Sequence, residues 1–425
     1  MSPVALPTHH ALVLHGAKDL RYEQRTLWPP HQGQVQVQVV STGLCGSDLH
    51  YYLHGRNGDF ALQSPLVLGH ESSGVVTAIG PGVKNFYIGQ KVAIEAGIMC
   101  NECSYCLKGR YNLCKNMRFA SSAKTFPHLD GTLQERFNHP AGVLHPLPEG
   151  CTFDQAALAE PLSVLLHAFR RAGLTPPSPT ILVFGVGAIG LLACLLAKTY
   201  GASLVCAIDI NASRLAFAKK EGFADFTFCL PPPPSASSSQ PQQQQNQKGS
   251  QDEQLRRAKE NVMNALAEFR SGEGGLVEEG FDYVFECTGA EACVQMSVYA
   301  ATTGGKVLLI GMGTRNLNLP LSAAALREVD IQGSFRYSNT YPLALALLGS
   351  GRLNVGSSTL TGSTSTVGNG STSAGVKNGV VGGGGIEKII SHRFPLSEAK
   401  KAFELLARGR DEDGGMVLKV MIDSD

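Results

Sequence analysis

The chain lacks a charge bias. Its 425 residues carry 36 Lys and Arg against 35 Asp and Glu, a formal balance of +1. That removes the electrostatic case for nucleic acid or a membrane surface as partner, since both select a concentrated positive field. A spanning segment is also missing. The strongest decoy, Ile181–Ala197, has seventeen residues without a charge and is interrupted by Gly185, Gly187 and Gly190. A bilayer-spanning helix needs roughly 20 apolar residues. A buried strand turning into a buried helix suits the segment better. No compact apolar stretch follows a charged start, the first Lys or Arg being Lys18, so no signal peptide is expected. Asp423-Ser424-Asp425 is neither a retention nor a peroxisomal tripeptide. Even pairing of cysteines is absent too. There are eleven, and four of them crowd between Cys100 and Cys114. A secreted disulfide scaffold is shorter and more evenly paired. Reduced thiols, bound metal and a cytoplasmic location are the expectation.

What is present suits a large globular chain. At 43% hydrophobic and 17% charged, the chain can build a sizeable core, and its length allows two or three domains. Gln34–Val40 reads QVQVQVV, strict alternation that predicts a half-buried strand. Val75-Val76 and Lys91–Ile94 continue a β-rich first part, broken by Gly and Pro. From about Ala156 the pattern changes. Strands are predicted at Thr180–Phe184, Ser203–Ile208, Phe226–Cys229, Phe281–Cys287 and Gly305–Ile310. Helices are predicted at Ala188–Tyr200 and Ser213–Gly222, and an amphipathic one at Asp252–Phe269. Strands alternating with helices give a doubly wound parallel sheet. Two or three further strands are expected beyond Val329, then a last helix, Leu396–Leu406, capped by Ser397. Two tracts belong to no core: Pro231–Ser250, rich in Pro, Ser and Gln, and Gly356–Gly385, rich in Gly, Ser and Thr. Neither holds enough apolar side chains to offset its ordering entropy, so both read as flexible loop insertions.

Gly185-Val186-Gly187-Ala188-Ile189-Gly190 is a G-x-G-x-x-G. Alone the spacing is weak and also fits a packing turn. Here it follows the strand TILVF, opens a helix, and is followed nineteen residues after Gly190 by Asp209 at the end of the next strand. In that setting it is a dinucleotide cradle. The glycines allow the turn, the approach of a pyrophosphate and close helix packing. The helix N-terminus offers free N–H groups to the phosphates. Asp209 can accept the adenosine ribose hydroxyls and repels a 2′-phosphate, which favours NAD. Arg214 nearby weakens that preference.

Cys100, Cys103, Cys106 and Cys114 follow the spacing C-x2-C-x2-C-x7-C. Four thiolates close a tetrahedral Zn²⁺ shell and leave no open position, so this site is structural. An iron–sulfur centre is the rival. A nucleic-acid zinc module is weaker, since the loop holds only Lys108, Arg110 and Lys115 as basic residues.

A second constellation lies in the β-rich part. Cys45 sits in Gly43-Leu44-Cys45-Gly46-Ser47-Asp48-Leu49-His50, and His70-Glu71 in Gly69–Gly74. Each alone reads as an ordinary buried residue. Cys45, His70 and a carboxylate together make an open zinc site with a fourth place for water or substrate oxygen. Zn²⁺ there acidifies a bound alcohol, and a nicotinamide can take the hydride.

At these residues the chain resembles the zinc-containing medium-chain alcohol and polyol dehydrogenases. The likeness runs through Gly69-His70-Glu71-x-x-Gly74-x5-Gly80-x-x-Val83, the four-cysteine loop and Gly185–Gly190, and spans all but the two inserts. Within the family it resembles the sorbitol, xylitol and L-arabinitol enzymes. Ala159-Glu160-Pro161-Leu162-Ser163 has Glu where liver-type enzymes place a third cysteine ligand. Ser47–Tyr52 and Phe335-Arg336-Tyr337-Ser338-Asn339-Thr340 also resemble polyol-enzyme segments.

The resemblance implies an α/β protein. A GroES-like catalytic domain of residues 1–160 and 335–425 would flank a Rossmann NAD-binding domain of residues 161–334. It implies Cys45, His70 and Glu71 as catalytic zinc ligands, with Glu160 a second carboxylate that reaches zinc water or substrate. Which of the two carboxylates binds directly stays open. Tyr51, Glu160, Arg336 and Tyr337 would bind the polyol hydroxyls, and Ser47 and His50 would pass the alcohol proton outward. Thr288, Gly311 and Gly313 would edge the nicotinamide pocket, though plain strand-end packing also fits them. A dimer or tetramer is expected, with no nucleic-acid partner and no membrane. The expected reaction is NAD-dependent oxidation of a polyol. The alternatives are a non-catalytic NAD sensor and a zinc alcohol dehydrogenase for other alcohols. A zinc-free reductase would lack Cys45 and the four-cysteine loop.

Overall fold

A computed structural model describes residues 6–174, 178–231, 251–271, 279–313, 316–353 and 385–424. The tract 232–250 and nearly all of 356–385 lie outside them, so the expectation of inserted loops there is not addressed.

Six short strands form one parallel sheet. Its spatial order is Phe226–Cys229, Leu204–Asp209, Thr180–Phe184, Phe281–Glu286, Ala301–Leu309 and Asp330–Gly333. Numbered in sequence order this is 3-2-1-4-5-6, the doubly wound order whose direction reverses beside Thr180–Phe184. Helix Ala188–Thr199 covers one face with a nearly continuous buried run from Gly190 to Ala197. Helix Gln251–Ser271 belongs to the core of the opposite face and buries Ala258, Val262, Ala265, Leu266 and Phe269.

The second large sheet has seven strands around Gln34–Gly43. That strand pairs antiparallel with Glu71–Ile79 on one side, Gly43 opposite Glu71, and with Lys419–Asp423 on the other, Gly43 opposite Met421. Arg136–Pro140 pairs with its first half. The strict alternation read from the sequence holds only in part. Gln36 is buried, because its amide donates to the Trp28 carbonyl and to Asn138 Oδ1, and the strand end Ser41–Gly43 is covered on both faces.

Two smaller expectations change. The last α-helix is Ala399–Arg408 with Glu398 at its N-cap, and Ser397 lies in a preceding 3-10 turn. Leu255 is only half-buried on its helix. Three strands do follow Val329: Asp330–Gly333, Ile390–Pro395 and Lys419–Asp423. No helix among the described residues is long and apolar enough to cross a membrane.

Candidate active site

The pairing of Gly43 with Glu71 brings two distant motifs together. Cys45 follows one strand and caps the helix Gly46–His54; His70 precedes the other. One ligand atom from each of Cys45, His70 and Glu71 lies within 4.8 Å of the others. One thiol, one imidazole and one carboxylate suit Zn²⁺ with an open fourth position. Glu160 is not part of that set. It stands in the first turn of helix Ala159–Ala172 and lines the same cavity.

The set is held from behind. Asp48, fully buried, accepts hydrogen bonds from Ser121 Oγ at 2.5 Å, from Gly69 N at 3.2 Å and, through its other oxygen, from Cys45 N at 3.2 Å. His70 Nδ1 lies 3.2 Å from Asp48 Oδ1, an ionic contact too bent for a straight hydrogen bond. Nε2 is then left on the side of Cys45 and Ser47, whose Oγ is 3.5 Å away. A carboxylate behind a ligating imidazole orients it and raises its basicity. Burial alone would raise the Asp48 carboxyl. His70 and the hydrogen bonds from Ser121 and Cys45 outweigh it and hold the group below its ordinary range. On the far side, Lys419 Nζ donates to Glu71 Oε2 at 2.6 Å and to the Leu44 carbonyl at 3.0 Å. Burial opposes the Lys419 charge, but Glu71 and Cys45 keep its pKa above the usual value. Glu160 moves the other way. Burial pushes it up to about 7, against the pull of His70, with the Glu71 charge adding to the rise.

A cavity of about 450 Å³ opens over these groups. Cys45, Ser47, His50, Tyr51, His70, Glu71, Glu160 and Arg336 line it. Ile189, Cys287, Thr288, Gly311 and Met312 close it from the parallel sheet. Tyr51 accepts the Ala123 N–H at 2.9 Å, leaving its own proton to donate. Arg336 lies over Phe119, with Cζ 3.8 Å from the ring centre, and burial lowers its pKa. Tyr337 does not fit the expected role. It is 2% exposed, packs on Tyr341 at 5.4 Å and is absent from the cavity wall. Within Phe335-Arg336-Tyr337, Arg336 takes a positive φ of 49° and lines the cavity together with Phe335, while Tyr337 lies in the core.

The Gly-rich turn fits a dinucleotide. Gly185 has φ +86°, and a Cβ there would strike Thr288 Cγ2. At Gly190 a Cβ would overlap the Gly185 carbonyl, which is the close helix packing expected. At Gly187 a Cβ would meet nothing nearer than Arg214 Nη1 at 4.0 Å, so open space lies before the helix N-terminus. Asp209 Oδ2 accepts Val186 N at 2.7 Å and Oδ1 accepts Asn211 N at 2.8 Å. Arg214 Nη2 donates to the Val417 carbonyl at 3.0 Å. Gly313 packs against Gly289, where a side chain on either would collide with backbone, and it does not line the cavity.

The four-cysteine loop closes on itself. Sulfur separations are 3.4 Å for Cys100–Cys114, 3.6 Å for Cys103–Cys106 and 3.9 Å for Cys100–Cys106. A tetrahedron with metal–sulfur bonds of about 2.3 Å has edges of about 3.8 Å. The Cys106 backbone N–H holds the Cys103 thiol down at about 6, while burial pushes Cys106 up to about 12. All eleven cysteines are free thiols.

Asp48, Phe119 and Lys419 were not assigned from sequence. Asp48 had a signal, three residues after Cys45 where a cap partner sits. Lys419 had a fainter one, a lone cation inside the apolar run Met416–Ile422.

The alcohol dehydrogenase GroES-like domain family matches residues 31–149, and the zinc-binding dehydrogenase family matches residues 250–350. Sorbitol dehydrogenase of Rattus norvegicus is 38% identical over 98% of this chain and 96% of its own length. That of Gallus gallus is 36% identical over the same shares. Among solved structures, L-idonate 5-dehydrogenase from Escherichia coli superposes with a TM-score of 0.74 at 25% identity, covering 98% of both proteins. Galactitol-1-phosphate dehydrogenase from Escherichia coli gives 0.71 at 26% identity, over 97% of this chain and 99% of that one. With this likeness running almost end to end, the chain belongs to the zinc-containing medium-chain alcohol and polyol dehydrogenases.

Proposed function

We propose that the chain oxidises a secondary hydroxyl of a polyol such as sorbitol, xylitol or L-arabinitol to the ketose, passing hydride to NAD. One observation carries the reading: the Cys45, His70 and Glu71 donor set shares a cavity with Glu160, Tyr51 and Arg336, at the switch point of the parallel sheet. When bound, zinc supplies a Lewis acid that acidifies the alcohol, and the nicotinamide supplies the hydride acceptor. The residues do the rest. Arg336 and Tyr51 donate to hydroxyls away from the reacting carbon. Glu160, with a pKa raised to about 7, holds or accepts a proton near neutral pH. Ser47 and His50 lie on the cavity wall, placed to pass that proton towards solvent. A plain alcohol would leave these buried polar groups unpaired, at roughly 1–3 kcal/mol each. The names of the relatives, sorbitol and idonate dehydrogenases among them, support a polyhydroxylated substrate.

The same reading places residues 1–160 and 335–425 in the catalytic domain and residues 161–334 in the cofactor domain, in a homo-oligomer. Free thiols throughout support a reducing, cytoplasmic setting. The test is a panel of sorbitol, xylitol and L-arabinitol with NAD on zinc-loaded protein, followed by NADH absorbance. Turnover of at least one is expected. Silence with all three overturns the reading.

A further inference from the structure

The four-cysteine loop reaches the segment that carries Arg336. Asn112 lies in the 3-10 turn Tyr111–Leu113, between Cys106 and Cys114, and is buried. Its Nδ2 donates to the Phe335 carbonyl at 2.9 Å. Tyr111 Oη accepts the Asn339 N–H at 2.8 Å and donates to Glu95 Oε1 at 2.7 Å. Asn339 Nδ2 donates to the Gly109 carbonyl at 2.7 Å. The last contact is made by a ring. Phe119 sits on the strand Arg118–Phe119, just after Cys114, and that strand pairs with Gly97–Ile98, just before Cys100. The two strands are the stem of the loop, and Phe119 is the face on which the Arg336 guanidinium rests at 3.8 Å.

The segment needs this grip. Arg336 and Asn339 have φ of 49° and 54°, a left-handed conformation that L side chains rarely adopt. Such residues persist where their surroundings over-determine them, and they cluster at functional sites. Two of these bonds hold the backbone on either side of Arg336, where Arg170 also donates to the Ser338 and Asn339 carbonyls; the third holds the Asn339 side chain, and a ring from the stem of the loop lies against the charged end of Arg336.

We infer that the four-cysteine loop is a template for substrate selection: through Tyr111, Asn112 and Asn339 it sets the backbone of Arg336, through Phe119 it sets the guanidinium, and so it controls affinity for the polyol hydroxyls that are not oxidised. This rests on the reading of Arg336 as a polyol-binding group. Tyr111, Asn112 and Asn339 are positioning residues, and none of them lines the cavity.

Asn339 carries the test because it is exposed, whereas loss of buried Asn112 can prevent folding. Asn339→Gly tolerates the positive φ and removes only the donor to Gly109. Asn339→Asp tolerates the φ and sets an acceptor against that carbonyl. The full zinc-loaded protein is assayed for kcat, KM for xylitol and KM for NAD. Calorimetry gives the xylitol Kd of the NADH-bound protein, and metal analysis gives zinc per protomer. Asn339→Asp is expected to raise the KM and Kd for xylitol by about tenfold, the scale of one hydrogen bond, and Asn339→Gly by less. The kcat, the KM for NAD and the zinc content should stay within about twofold of the parent protein. Unchanged xylitol affinity overturns the inference, as does a fall in kcat and zinc with affinity intact, the mark of a loop that serves stability alone. A parent protein that neither binds nor oxidises any polyol overturns the reading of Arg336 first and this inference with it. A parent protein that does both, with variants that behave like it, overturns this inference alone.

Discussion

Lys419 and Glu71, 348 residues apart, meet at 2.6 Å with their side chains only 4% and 1% exposed. Two strands flanking Gln34–Gly43 bring them together, Glu71 opposite Gly43 and Met421 opposite the same residue from the other side. The ammonium pairs with one carboxylate oxygen of Glu71, whose carboxylate also lies within 4.8 Å of the Cys45 and His70 ligand atoms. Breaking a buried pair strands an uncompensated charge and costs about 3–5 kcal/mol. Lys419→Met should lose stability on that scale in denaturant unfolding, and Lys419→Arg much less. A Met variant as stable as the parent would show that the pair does not hold Glu71.

The strands of the parallel sheet before Val329 were legible because each is a short, mostly apolar run soon followed by Gly, Asp or Pro. Thr180–Phe184 and Phe226–Cys229 match residue for residue. Cys45, His70 and the four clustered cysteines were legible because ligand chemistry allows few residue types at few spacings. Contacts across sheets were not. Gln36 read as an outward residue, yet it is inside because Trp28 and Asn138, distant in sequence, meet its amide. Tyr337 read as a substrate contact because Phe335-Arg336-Tyr337 resembles a polyol-enzyme segment. No local pattern could tell that Arg336 lines the cavity while Tyr337 packs on Tyr341 in the core.

Acid should weaken the fold through His139. Its ring stacks on Phe137 at 4.9 Å, Nε2 donates to the Glu95 carbonyl at 2.8 Å, and Nδ1 is buried without a partner. Burial pushes its pKa down to about 4, against roughly 6.5 in an unfolded protein. As pH falls below about 6.5, the unfolded state takes up a proton that the folded one refuses. Stability is therefore full above that value and is lost progressively down to about pH 4. Between pH 7.5 and 5 the loss is about 2 kcal/mol. His139→Gln, which can still donate to Glu95, should flatten that part of the curve in urea unfolding. Parallel curves for the two proteins would remove His139 as the cause.

On the proposed reading, Asp209 sets the cofactor preference. Its carboxylate is fixed by the Val186 and Asn211 N–H groups at the end of its strand, where charge repels a 2′-phosphate. Arg214 lies beside Gly187, on the same approach. Asp209→Ser removes the repulsion and leaves the cation. The ratio of kcat/KM for NAD over NADP should fall by about tenfold or more, the loss of one good ribose contact. Steady-state kinetics with both cofactors decide it, and an unchanged ratio would refute the ribose assignment.

Asp48 couples the two motifs of the catalytic donor set more directly than any ligand does. One oxygen takes the Gly69 N–H and stands against His70; the other takes the Cys45 N–H at the N-cap of the helix that carries Asp48. The same carboxylate thus sets the imidazole and the residue that bears the thiol. Asp48→Asn keeps the volume but turns one acceptor into a donor among donors. Loss of such a supporting partner typically lowers metal affinity or activity by about 10- to 100-fold. The four-cysteine site does not touch Asp48, so its zinc should stay. Chelator competition on the variant should release one zinc early and one late, with the early one missing from the parent protein's curve at the same chelator concentration. Both ions leaving together, or neither leaving sooner than in the parent, would mean that the Cys45 and His70 pair is held by its strands alone.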